Sequence, residues 1–143
     1  MPHATGVPYD DGLISTCERN ELQLARDTRK ALAGGNLVWM AVDGGAAPAG
    51  PRVDLAGQSI GCSDFPAKVA LASGVPTLFW APRWQDGMIV RDQRPLPVAR
   101  RNECRNDFVA RWRAAFLGHL RDGLCQSPEN LCLAGGMWRH VRV

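Results

Sequence analysis

Gly34-Gly35-Asn36-Leu37-Val38-Trp39-Met40-Ala41-Val42-Asp43-Gly44-Gly45 is the stretch whose reading decides the fold. Six consecutive apolar residues, Leu37 to Val42, stand between two glycine pairs. No polar residue interrupts them at helical intervals, and the run is too short to cross a bilayer, which takes about 20 apolar residues. The pattern is that of a strand buried on both faces of a parallel sheet. Such a strand delivers Asp43, Gly44 and Gly45 to its carboxyl end, where open α/β sheets bind ligands, so Asp43 is the first candidate for chemistry. A tight turn that simply favours Asp-Gly is the competing reading.

Outward from this strand the chain alternates. Residues 1–14 are rich in Gly, Pro and Asp and read as a loop. Ser15 with Glu18 fits a capping box for a helix over about 16–33, closed by Gly34. Residues 46–51 are loop, and a weak strand is expected around Val53. Ser63 or Asp64 caps a second helix with Pro66 in its first turn and Gly74 at its end. Val75 to Ala81 predicts a second buried strand, joined through Trp84-Gln85-Asp86-Gly87 to a third at 88–90 as a hairpin. Residues 94–102 read as an extended linker, and about 103–120 as a long helix. That helix spaces Phe108, Trp112, Phe116 and Leu120 as one apolar stripe, a core face unless a partner covers it. The predicted fold is a single α/β domain over 1–143, with helices on a mostly parallel sheet and a hairpin near the carboxyl side.

Composition narrows the function. Apolar content of 45% with 22% charged residues fits an ordinary soluble domain rather than a disordered chain. The net charge is +3, and the two lysines, Lys30 and Lys68, leave 15 of the 17 basic residues as arginine. Together with abundant Ala, Gly and Pro this skew reads as coding bias, so nucleic acid is not an expected partner. Arginine does suit phosphate and carboxylate contacts, and Arg83, expected just after a strand, is a candidate for one. Cys17, Cys62, Cys104, Cys125 and Cys132 form no CxxC pair and have no histidine at a zinc spacing. They read as free thiols, no metal site is expected, and with no signal-peptide pattern at the start the expected location is cytoplasmic. Cys62, just before a helix, is the one thiol placed for a nucleophile.

The order of these pieces resembles the lysophospholipid acyltransferase superfamily, and within it the bacterial lipid A late acyltransferases. The resemblance is carried by Asp27-Thr28-Arg29-Lys30-Ala31-Leu32-Ala33-Gly34-Gly35 with the strand ending in Asp43, by Phe65-Pro66-Ala67-Lys68, by Val75-Pro76 and Ala81-Pro82, and by Pro128-Glu129 with Trp138-Arg139. It covers about residues 16–143 and implies transfer of a fatty acyl group from a carrier-protein or coenzyme A thioester to a hydroxyl of a lipid or glycolipid. It further implies acyl carrier protein or acyl coenzyme A as partner, peripheral contact with the inner membrane, no cofactor, and a substrate-positioning role for Asp43, Gly44 and Gly45. The family's base is a histidine followed by an aspartate with four residues between. No such pair stands here: five positions after His3 and His119 are Pro8 and Leu124, and His140 lies three residues from the end. The catalytic residues are therefore unassigned, and the chain corresponds to a carboxyl-terminal half. From a different class, the same sequence reads as a non-catalytic partner or scaffold module that docks another chain or itself.

Overall fold

The computed structural model describes residues 21–40, 42, 51–55 and 57–126. The expected opening loop, the first turn of the first helix, Asp43 with its two glycines, and the tail from Ser127 lie outside the described residues. Seven elements follow one another: α1 (Glu21–Ala33), β1 (Arg52–Leu55), β2 (Gln58–Gly61), α2 (Phe65–Ser73), β3 (Leu78–Gln85), β4 (Met88–Pro95) and α3 (Arg105–Gln126).

The longest of these, α3, anchors the core. Phe108, Val109 and Trp112 fall on one face at helical spacing, and all three are buried. Phe116 stacks on Trp112 with ring centres 5.6 Å apart and also meets the edge of Phe79 at 5.5 Å. The stripe read from the sequence is thus core-facing, with Leu120 packed on its margin. Just ahead of the helix, the Cys104 sulfur accepts the Asp107 amide hydrogen at 3.4 Å, satisfying one of the free donors that every helix start exposes.

The sheets differ from expectation. Among the described residues there are two separate two-stranded antiparallel sheets, β1 with β2 and β3 with β4, and no parallel pair. The mixed α/β character stands; the mostly parallel sheet does not. In the larger hairpin Leu78 pairs with Pro95 and Gln85 with Met88, leaving Asp86 and Gly87 as a two-residue turn. Both turn residues have positive φ, 52° and 76°, the requirement of a type I′ turn whose twist matches that of the strands. Strand pairing extends well beyond the expected third strand at 88–90, taking up the first residues of the supposed linker. Leu96, next along it, is buried.

The run 37–40 forms no strand. Leu37 is 93% exposed and Trp39 74%, while Val38 and Met40 are half-buried and Val42 enters the core. The physical reason is that an unbroken apolar run implies burial on both faces only when strands flank it on both sides. Here the alternate side chains of an extended segment point to different surroundings, one set toward the core and the other outward. Its anchor is the Val42 carbonyl, which accepts the Ser63 amide hydrogen at 2.9 Å.

α2 keeps the start and end read from the sequence, although Asp64 makes no side-chain cap. Pro66 occupies the first turn, Ala67, Val69 and Ala70 are buried, and Gly74 ends the helix in the left-handed region at φ 66°. The core that results joins Val42, Cys62 and Ala67 to Phe79, Leu96 and the buried face of α3.

Candidate functional site

The structure describes one of the sequence-predicted site residues, Arg83, while Asp43, Gly44 and Gly45 fall outside the described residues. Arg83 lies within β3, opposite Val90, rather than beyond the end of a strand. Its Nη1 donates to Gln126 Oε1 and its Nη2 to Gln85 Oε1, both at 2.9 Å. The guanidinium therefore ties the hairpin to the last turn of α3, using donors that an anionic ligand would need. Cys62 is buried in the core, away from solvent. His119 faces the Phe79 ring at 5.6 Å, with its Nε2 3.4 Å from the Pro95 carbonyl oxygen.

The inward face of the hairpin is polar at its α3 side. Arg94 donates to both oxygens of Asp92, at 3.0 and 2.9 Å, and to Asp122 at 3.0 Å. The hydrogen bond to Asp92 foremost, against the opposing effect of burial, raises the Arg94 pKa, so this group is a permanent cation clamped to two carboxylates.

The outward face has another character. Leu78, Trp80 and Pro82 alternate along β3, and Ile89, Arg91 and Gln93 lie on the same side of β4 through the register. Leu78 is 62% exposed, Ile89 61% and Trp80 36%. Trp39 stands edge-on to Trp80, ring centres 4.9 Å apart and planes at 84°, the arrangement that aromatic quadrupoles favour. Two indoles, a leucine and an isoleucine thus share a face that nothing among the described residues covers. The sequence gives no sign of it, since Leu78-Phe79-Trp80-Ala81-Pro82 is an unbroken apolar run in which the inward and outward residues look alike.

No family model matches the chain, and no solved structure matches it. A curated protein does: the Vi polysaccharide export protein VexE of Salmonella typhi is 31% identical over 135 residues. The likeness is to an export protein. It takes in 93% of this chain and 20% of VexE, so the chain spans about a fifth of that protein's length. This finding overturns the expected resemblance to lipid A acyltransferases, for which neither comparison of families nor of structures gives support. The motifs that carried the resemblance are short, and apolar strands ending in Asp-Gly or helices opening with Phe-Pro arise wherever turns and helix starts need those residues. Among the described residues no three His, Cys, Asp or Glu side chains are placed to hold a metal ion, and no helix is long and apolar enough to cross a membrane.

Proposed function

We propose that this chain is a non-catalytic docking module serving polysaccharide export, and that the outward face of the β3–β4 hairpin seats another protein surface. The observation that carries this reading is the exposed Trp39–Trp80 pair, on the face that also presents Leu78 and, nearer the turn, Ile89. A two-stranded sheet is marginal by itself, and large apolar groups left in water on one side of it invite a cover. Tryptophan with arginine at the margin is the composition that concentrates binding energy at protein contacts. The similarity to a polysaccharide export protein, of which four-fifths lies outside the matched region, is what ties this docking reading to export.

The test uses the isolated chain. Sedimentation at micromolar concentration, read alongside binding of a hydrophobic dye, is expected to show concentration-dependent association and dye uptake. Both should fall sharply in the Trp39→Ser/Trp80→Ser variant. A monodisperse monomer that takes up no dye would mean that the face is closed, and the docking reading would be lost.

A further inference from the structure

A second surface feature lies on the opposite kind of chemistry. Between α2 and the first turns of α3 is an open, polar cleft of about 430 Å³. Asp64, Lys68, Arg105, Asn106 and Arg113 line it, over a floor of Val109 and Ala110. Three cations therefore face one carboxylate.

That carboxylate is already committed. Asp64 immediately precedes α2, yet its side chain makes no capping bond to the helix. Instead both of its oxygens accept from Arg113 Nη1, at 3.1 and 3.2 Å. Only one nitrogen of the guanidinium is used in this pair, which holds the side chain across the cleft and leaves its other donors available. Lys68 has a long contact with Glu21, 3.9 Å between two exposed side chains, a pairing too open to fix the ammonium. Arg105 has no ion pair among the described residues and extends from the first turn of α3. The lining thus carries a surplus of two positive charges, from Lys68 on α2 and Arg105 and Arg113 on α3 against Asp64.

We propose that this cleft binds a phosphate monoester. Such a group carries about −1.5 to −2 charge at neutral pH and three acceptor oxygens, which matches the surplus and the donors of Lys68, Arg105 and Arg113. A single carboxylate would leave half of the surplus unopposed. Phosphate alone occupies a small part of the volume, so the Asn106 amide and the Val109 floor are left for the group that bears it. The inference stands apart from the docking face and does not depend on it.

The experiment is a titration of the whole chain with glycerol phosphate at constant ionic strength, followed by amide NMR. Saturating shifts are expected at Lys68, Arg105, Asn106 and Arg113. The variants Lys68→Gln and Arg105→Gln remove charge from exposed helix positions and should keep the dispersed spectrum of a folded chain. Each should weaken the apparent affinity about tenfold, the loss expected when one charge-assisted hydrogen bond is removed. Parallel sedimentation with phosphatidylcholine vesicles, with and without phosphatidate, separates the sources. Binding to phosphatidate vesicles without glycerol phosphate shifts would assign the cleft to a lipid headgroup, and the reverse to a soluble phosphorylated molecule. Absence of both, or shifts that chloride reproduces or the variants leave unchanged, would overturn the proposal.

Discussion

The indole N–H of Trp112 donates to the hydroxyl of Thr77 across 2.9 Å, joining the middle of α3 to the residue that leads into β3. Trp112 is buried, so its one donor has no water to fall back on. Thr77→Val keeps the shape and removes the acceptor. It is expected to cost about 1–3 kcal/mol in urea unfolding, while Thr77→Ser stays near the parent.

Adjacent residues of β3 should respond in opposite ways. Phe79 points inward onto Phe116, and Phe79→Ala is expected to cost about 3–5 kcal/mol through lost burial and a cavity. Trp80 points outward, and Trp80→Thr should change stability by only about 1 kcal/mol or less while raising solubility. Denaturant midpoints of the two variants check the assignment of faces. Equal losses would mean that the strand is covered on both sides.

Acid sensitivity is expected from Glu103. The hydrogen bonds from Arg111, with a further one from the Arg100 amide, lower its pKa from 4.5 to about 2. Arg111 Nη2 lies 2.7 Å from the carboxylate and also donates to the Val98 carbonyl at 2.8 Å, so the pair fastens the 98–104 loop to α3. A carboxylate whose pKa is depressed on folding stabilises the fold fully above its unfolded value, and that contribution is lost as pH falls toward the folded value. The window is therefore from about 4.5 down to about 2. Glu103→Gln should be less stable than the parent at pH 7, and the gap should close across that window. Thermal unfolding as a function of pH measures it.

The hairpin turn is sensitive to side chains at one position in particular. Gly87, at φ 76°, lies in the region that other residues enter at a cost of about 1–2 kcal/mol. Space does not forbid a methyl group there, since nothing lies within 4 Å of where it would sit. Gly87→Ala should therefore destabilise by backbone strain alone, whereas Asp86→Asn, which tolerates the same region, should be neutral. Unfolding curves of the two variants separate strain from packing.

Helices and turns were legible in the sequence because their determinants are local. Pro66 and Gly74 mark α2, Asp86-Gly87 marks the hairpin, and the spacing of Phe108, Trp112 and Phe116 marks the buried side of α3. The central strand was misread because burial is a property of neighbours. Six apolar residues in a row look alike whether strands flank them or not, and Leu37 and Trp39 turned out to face outward. The same limit applies to the candidate residues. Arg83 beside a strand gives no sign that Gln85 and Gln126 will take its donors, one of them from 43 positions away. Lys68, Arg105 and Arg113 come from two helices, and their convergence depends on how α2 packs against α3, which no spacing in the chain encodes.

The bond from Trp112 to Thr77 spans 35 positions of chain, made up of one hairpin, the connection over 96–104 and the first two turns of one helix. Everything from Thr77 to the end of α3 can therefore assemble from contacts between sequence neighbours, whereas α1 and the 36–42 segment join it only from a distance. Loop closure of this modest length carries a small entropic penalty, so the hairpin–helix unit is the part able to form first and open last. Native-state hydrogen exchange should find its slowest amides in β3, β4 and the first half of α3. Trp80, Leu78 and Ile89 belong to that unit, so a partner arriving at their face meets a surface already ordered.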